Sequence, residues 1–339
     1  MTPLPSRIFD RAGIAVSTLG LGTAPIGDLF ALLGEDAAVA AVTTALDSGV
    51  TLIDTSPHYG NGLAELRVGA ALRRFSGPRP IIATKIGRVM EPFGGQGEKS
   101  GFVGGVPHTP RFDYSAEGVM RSLEHSMLRM GVDRIDIALI HDCDVWTHGP
   151  DMIGQRLREA IGQAYPALEQ LRSEGVVKSI GIGINEADTA SIFARETDID
   201  CVLLAGRYSL LEQPALEEFF PLAERKTISV MLGGVFNSGI LATGAVAGAK
   251  YNYKPAPEAI LRRVAAIEAV CARHGVPLRV AALHFALAHP RVVSLVLGAI
   301  DGREVADNIA AMTARVPPAL WADLKDAGLL DRAAPTPVA

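Results

Sequence analysis

Between residues 18 and 297 the chain alternates short apolar runs with longer stretches of helical periodicity. The runs at 18–22, 51–55, 81–85, 136–141, 179–184, 201–205, 228–232 and 294–297 are rich in Val, Ile and Leu. They are apolar throughout rather than alternating, as in parallel strands covered on both faces. Between them, apolar positions recur every three or four residues at 36–47, 63–74, 116–129, 155–173, 187–195, 214–223, 258–274 and 303–314, which predicts helices. Asp36 and Ser115 stand where N-caps belong, and Gly49, Gly175 and Gly275 stand just past helix ends. Ahead of the alternation, residues 7–9 and 14–17 flank Asp10-Arg11-Ala12-Gly13 and predict a small hairpin.

Eight strand-helix units predict a (β/α)8 TIM barrel, an α/β fold, with an N-terminal β-hairpin. The alternative is a doubly wound open sheet, but no GxGxxG follows the first strand. Three connections exceed ordinary length: 87–110, 142–152 and 233–254. All follow strands, so they become long loops on the C-terminal face, where barrels keep their chemistry. Residues 277–289 predict an extra helix before the last strand, and 318–330 a closing helix lying across the barrel or its loops. With no internal boundary, low-complexity tract or longer repeat, residues 1–339 are expected to form a single domain.

Candidate chemistry concentrates in residues 49–65. A β-branched and apolar run there ends in Asp54, followed by Thr55, Ser56, Pro57, His58 and Tyr59, with Gly60-Asn61-Gly62 breaking the chain before a helix. Lys85 ends the third strand and His141 the fourth. A barrel would gather this carboxylate, ammonium, phenol and imidazole at one mouth. A free phenol has a pKa near ~10, and a neighbouring ammonium favours the phenolate. Asp54 would hold the lysine charged, and His141 would orient a substrate oxygen. The set is a proton-transfer device for a carbinol or carbonyl, with no nucleophile and no metal shell. Each residue taken alone has another reading: Asp54 a turn cap, His141 a core or rim histidine, Tyr59 surface packing. A lysine ending an apolar strand is seldom buried without a partner, and three successive strand ends act jointly.

Composition narrows the partner. The 339 residues are 48% hydrophobic and 20% charged with a formal net charge of −5, and no Lys/Arg run occurs. A small-molecule substrate is therefore expected, rather than nucleic acid or a membrane. Cys143, Cys201 and Cys271 lack CxxC spacing and read as free thiols in a reducing compartment. With no signal-peptide pattern, a cytoplasmic location is expected. Nothing bears on a homo-oligomer, which stays open.

These residues carry a resemblance. The hairpin, the eight units, Asp54-Thr55-Ser56-Pro57-His58-Tyr59-Gly60-Asn61-Gly62-Leu63-Ala64-Glu65 and the strand-end Lys85 and His141 resemble the aldo-keto reductase superfamily over nearly the whole chain. The resemblance implies a nicotinamide cofactor extended over the mouth, Tyr59 as general acid/base, Lys85 and Asp54 as its tuners, and His141 orienting substrate. Asn185, in Gly183-Ile184-Asn185, matches the carboxamide-binding Asn, while Ala205 stands where a Gln is usual. Gly234, Phe236 and Ser238 match the loop covering the pyrophosphate, with Phe236 a stacking ring or ordinary core filling. Gly298, Glu304 and Asn308 match the adenosine end. Members using NADP place Arg where Glu304 stands, although Arg303 is adjacent. A carboxylate repels a 2′-phosphate and accepts from a ribose hydroxyl, so NAD is favoured over NADP.

The segments 183–186, 205–211 and 234–239 are similar to one branch of that superfamily, the L-fucose (D-threo-aldose 1-) dehydrogenases, L-galactose dehydrogenase and pyridoxal 4-dehydrogenase. That implies NAD(P)-dependent oxidation of a cyclic hemiacetal to its lactone, with His58, Trp146 and the 87–110 loop walling the pocket. The rivals are an NADPH-dependent aldehyde or ketone reductase using the same four residues, and a cofactor-binding regulatory β-subunit. A metal-dependent hydrolase would need a His-x-His near the first strand, and residues 18–25 have none.

Overall fold

The computed structural model describes residues 4–92 and 101–337. Its centre is a closed barrel of eight parallel strands taken in chain order: Leu19–Gly22, Leu52–Asp54, Ile81–Ile86, Ile137–His141, Ser179–Ile184, Cys201–Ala205, Ser229–Gly233 and Val292–Gly298. The fifth strand pairs with the sixth as the eighth pairs with the first, so no edge is left. This is the expected (β/α)8 barrel.

Side chains alternate along each strand between the barrel interior and the helix layer. Leu52, Ala83, Ile137, Leu139, Cys201, Leu203 and Met231 pack together inside. Ile53, Ile82, Ala138, Ile140, Ile180 and Val202 face the outer layer with Val42, Val68, Leu123 and Phe193 from the helices. Two residues beyond each inner apolar position the interior turns polar: Asp54 after Leu52, Lys85 after Ala83, His141 after Leu139. Asp54 is paired with Ala83, Lys85 with Leu139 and His141 with Gly183. Each polar residue is thus one inward-facing step beyond its neighbour's partner, which is what strand tilt requires for side chains at one level. Gly183 supplies space, since a Cβ there would lie 3.0 Å from Lys85 Cε.

The opposite end is stoppered. Ser6–Phe9 and Ile14–Ser17 form the expected hairpin, and Phe9, Ile14 and Val16 join the interior cluster. Arg11 clamps it to Asp198 and to the Ile199 carbonyl (2.5 and 3.0 Å), and Arg7 donates to the Val292 carbonyl.

Several boundaries differ from the sequence reading. Residues 142–152 are not a loop: a helix begins at Val145, with the Asp144 carboxylate accepting from Thr147 N–H (3.0 Å). Gly149 takes φ 72°, so Gly149-Pro150 kinks this helix rather than ending it. It continues through a π-turn at Ala160–Ala164 into Tyr165–Ser173. The first helix, Glu35–Asp47, has Gly34 at its N-cap, and Asp36 instead lies in the first turn, favourable to the helix dipole. Ser115 caps as expected, accepting from Gly118 N–H. The helix expected at 214–223 is a 3-10 turn, Pro214–Leu216, followed by Phe219–Arg225.

The long third connection contains a hairpin, Arg88–Glu91 with Thr109–Phe112, and its residues 93–100 lie outside the described ones. The seventh holds a short helix, Ile240–Thr243, and a bridge between Lys250–Tyr251 and Lys254–Pro255. The closing helix, Ala319–Asp326, packs on the outer helix Glu258–Arg273, not across the mouth.

Gly87, between the third strand and its hairpin, sits at φ 100°, and a Cβ there would lie 2.3 Å from the Tyr114 ring. The Tyr114 hydroxyl donates to the His141 carbonyl (2.7 Å), so displacing that ring loosens a strand end. Gly87→Ala is expected to destabilise the protein by about 2 kcal/mol, from backbone strain plus overpacking. Urea unfolding would measure it, and unchanged stability would show that the ring moves freely.

Candidate active site

Tyr59 follows the second strand on a segment held from two sides. Gly60 and Asn61 both adopt left-handed conformations (φ 62° and 54°). A Cβ on Gly60 would come within 2.4 Å of the Gly27 carbonyl oxygen, so this turn requires glycine. From the third connection, Val106 N–H donates to the Gly60 carbonyl (2.9 Å), and Asn61 Nδ2 donates to the His108 carbonyl (2.9 Å). The Tyr59 ring then lies edge-on to His141, centroids 6.0 Å apart, with Lys85 Nζ 5.6 Å from its centre.

Below the phenol, Lys85 Nζ donates to Asp54 Oδ1 (2.5 Å) and to the Thr55 carbonyl (2.9 Å). Both side chains are almost fully enclosed, at 1% and 2% exposure, so each charge relies on the other. Burial pushes the Asp54 carboxyl up, while Lys85 pulls it back.

His141 Nδ1 lies 3.2 Å from Ser56 Oγ, and Nε2 lies 3.4 Å from Asp142 Oδ2. The Asp142 carboxylate can only accept when ionised, so the facing Nε2 carries the hydrogen and Nδ1 accepts from the Ser56 hydroxyl, whose oxygen also accepts from His58 N–H (3.1 Å). This network assigns the hydrogen to Nε2, on the side facing Asp142. Burial, reinforced by the Arg88 and Lys85 charges, holds the His141 pKa well below its ordinary value, so the imidazole is neutral. His58 is lowered to about 3 by burial and by Arg88.

The phenol departs from the sequence expectation. Burial first, then the Asp54 and Asp142 charges, raise the Tyr59 pKa well above 10 instead of lowering it. Burial is the larger cause, and Lys85, bonded to Asp54 at 2.5 Å, does not offset it. Around neutral pH the mouth therefore holds a protonated phenol and a neutral imidazole. It can donate hydrogen bonds to one oxygen, and it takes up a proton only when the phenol first loses its own.

The structure thus brings together Asp54, Lys85, Tyr59 and His141, with His58 edge-on to His141 at 6.0 Å. Trp146 stands on the rim, 48% exposed, its backbone N–H donating to the Glu186 carboxylate (2.8 Å). Sequence reasoning gave no role to Ser56 or Asp142, and reached Arg88 only as part of the 87–110 loop expected to wall the pocket. Arg88 NH2 donates to Asp142 Oδ2 (2.7 Å), and Asn185 Nδ2 donates to Asp142 Oδ1 (3.1 Å). The only sequence signal was proximity: Ser56 two residues after Asp54, Arg88 three after Lys85, Asp142 next to His141.

Residues matched to a dinucleotide line the mouth from the fifth to the eighth strand. Gly234 has φ 61°, and a Cβ there would lie 3.1 Å from Gly206 N, so glycine relieves both the backbone strain and the tight approach of these two loops. The Arg279 guanidinium lies 5.5 Å from the Phe236 ring centre, and NH2 donates to Asn308 Oδ1 (2.5 Å). Asn308 Nδ2 in turn donates to the Gly298 carbonyl (3.3 Å). Arg279 Nε and Asn237 Oδ1 are buried with no hydrogen-bond partner among the described residues. A guanidinium with an unpaired Nε–H and no carboxylate partner among the described residues, lying beside an aromatic ring, fits an anionic, planar group such as a dinucleotide. Ser238 Oγ accepts from Tyr253 N–H (3.0 Å). Glu304 has a local explanation too: Asp301 accepts from Glu304 N–H (2.8 Å), and Glu304 Oε2 accepts from Ile300 N–H (3.1 Å), a variant of the capping box.

Comparison with known proteins follows the same geometry. The profile of the aldo/keto reductase family matches residues 18–328. D-threo-aldose 1-dehydrogenase from Pseudomonas sp is 36% identical over 332 residues, covering 96% of this chain and 97% of that protein. Pyridoxal 4-dehydrogenase from Microbacterium luteolum is 36% identical over 339 residues, again covering 96% and 97%. The structure of an aldo-keto reductase from Bacillus halodurans, in its holo form, superposes with a TM-score of 0.70 at 24% identity, covering 93% of each chain, and speaks to the fold.

Replacing Lys85 by Met leaves Asp54 buried and unpaired, and is expected to cost about 3–5 kcal/mol at neutral pH. An unpaired Asp54 has a folded pKa above its unfolded value, so it unfolds the protein more as pH rises. The deficit should therefore shrink on acidification. The double variant K85M/D54L should recover most of the loss. Urea unfolding at several pH values checks this, and a single variant as stable as the parent would mean that the pair is not ionised.

Proposed function

Because this chain belongs to the aldo/keto reductase family, an oxidoreductase family that uses NAD(P)(H), we propose that it oxidises the cyclic hemiacetal of an aldose or of pyridoxal to a lactone. The observation that carries the reading is the enclosed Asp54–Lys85 pair beneath a phenol and a neutral imidazole. The two relatives at 36% identity, an aldose 1-dehydrogenase and a pyridoxal 4-dehydrogenase, support it. Aldoses and pyridoxal share the chemistry of a ring carbon bearing both a hydroxyl and a hydrogen.

In this reading Tyr59 is the proton acceptor for that hydroxyl, and the His141 Nε2 hydrogen holds the same oxygen. Ser56 is a positioning residue, fixing the tautomer through Nδ1. Lys85 and Asp54 set the height and electrostatic surroundings of the phenol. Asn185, Gly234, Phe236, Ser238, Gly298, Arg279 and Asn308 would hold the dinucleotide, which when bound supplies the hydride acceptor. Glu304, at the adenosine end, favours NAD over NADP by repelling a second phosphate. The whole chain would act as one catalytic unit in the cytoplasm. A second reading, reduction of an aldehyde, draws support from the protonated phenol, which is the form that donates to a carbonyl.

Tyr59→Phe is expected to lower kcat by at least a thousandfold while leaving cofactor affinity, read by fluorescence quenching, within about threefold. Retained turnover would remove Tyr59 from the reaction. The raised phenol pKa fixes a sign: oxidation requires the phenolate, so its kcat/KM should climb toward alkaline pH without levelling below pH 10. Aldehyde reduction requires the phenol and should stay flat over that range. Initial rates with L-fucose, D-arabinose and pyridoxal, each with NAD and NADP, test the reading itself. Silence with all three, alongside reduction of simple aldehydes, would replace it.

A further inference from the structure

Beside the phenol stands a polar wall that proton transfer does not use. Arg88 opens the hairpin after the third strand, and its side chain is only 8% exposed. The guanidinium covers the Phe112 ring at 4.6 Å and donates through NH2 to Asp142 Oδ2 (2.7 Å). Its Nε–H is buried with no partner among the described residues, and so is His58 Nδ1. Asp142 takes φ 49°, a left-handed conformation that a non-glycine residue adopts at a cost of about 1–3 kcal/mol. That conformation brings its carboxylate to Arg88, to Asn185 and within 3.4 Å of His141 Nε2. Strain of this kind persists where the surroundings hold it, and here it places a carboxylate next to the oxygen-holding imidazole.

Leaving a buried donor unsatisfied costs about 1–3 kcal/mol. The deficit at Arg88 Nε disappears when a ligand brings an acceptor. Arg88 offers only donors, and Asp142, when ionised, offers only acceptors. A hydroxyl serves both, accepting from the guanidinium and donating to the carboxylate. An aromatic or apolar carbonyl compound would leave the pair as it is.

We propose that Arg88 and Asp142 are specificity-determining residues that bind the hydroxyl adjacent to the reacting carbon, so that the site is built for an aldose. The inference rests on the hemiacetal reading above and chooses between its two substrates. Arg88 also lies close enough for its charge to help hold His58 and His141 neutral, which places the guanidinium at the mouth.

The test uses the full chain with NAD and pairs each sugar with the analogue lacking that hydroxyl: L-fucose with 2-deoxy-L-fucose, D-arabinose with 2-deoxy-D-ribose. The parent protein is expected to lose at least 30-fold in kcat/KM on the deoxy member. Arg88→Gln should lose a similar factor on the intact sugar, and the two losses should not multiply when combined. Asp142→Asn, nearly isosteric, provides the same cycle if the arginine variant fails to fold by circular dichroism. Losses that multiply in full would overturn the inference, because the residues would then act elsewhere. So would a kcat/KM for pyridoxal exceeding that of every aldose. If the parent oxidises neither sugars nor pyridoxal with either cofactor, the hemiacetal reading itself has failed and this inference falls with it.

Discussion

A carboxylate and an ammonium enclosed together at the top of a barrel constrain nearly everything around them. Neither Asp54 nor Lys85 reaches water, so neither can be kept without the other. Their contact dictates which strands must be neighbours and how far each must extend. It also requires a small residue opposite, and Gly183 supplies it. Burial of the phenol outweighs what a lysine already bonded to Asp54 offers it, so Tyr59 stays protonated. The electrostatic setting of the mouth then comes from a second, looser set of charges. Arg88 pairs with Asp142, and Asn185 joins Asp142 to Asp144, its N–H and side-chain amide both donating to Asp144.

The fold was legible because barrels write themselves as a repeat of two periods. Apolar runs such as 137–141 admit little besides a buried parallel strand, and the helices between them carried ordinary apolar faces. Errors fell where local chemistry pointed two ways. Gly149-Pro150 reads as a break, yet a positive φ at the glycine followed by a proline in an opening turn also describes a kinked helix. Asp36 reads as a cap, yet an acidic first-turn residue carries the same composition. The Asp54, Lys85 and His141 positions were legible because a charged or polar residue ending an apolar strand contradicts packing. Arg88 and Asp142 were not, since each is an ordinary residue in a polar loop until the backbone folds the two together.

Glu304 shows a further limit. A carboxylate three residues after Asp301 is as good a helix-start signal as a cofactor signal, and the structure displays the first use directly. The two uses are compatible, because capping engages one oxygen of the group. Arg279 went unremarked because it begins a helix far along the chain, and only the tertiary fold lays it over Phe236 and against Asn308.

The hairpin that stoppers the barrel has a bearing on traffic. With Phe9, Ile14 and Val16 filling the base and Arg7 and Arg11 fastening it, the interior is a blind well. Whatever enters must leave by the same door, including any proton exchanged in a reaction cycle. No relay can run downward through a core of Leu52, Ile137, Cys201 and Met231, so a proton has to come or go among the loops that also admit a ligand. Loop motion at the rim then governs two flows at once. A change that tightens the mouth around a ligand will also lengthen the stay of the proton.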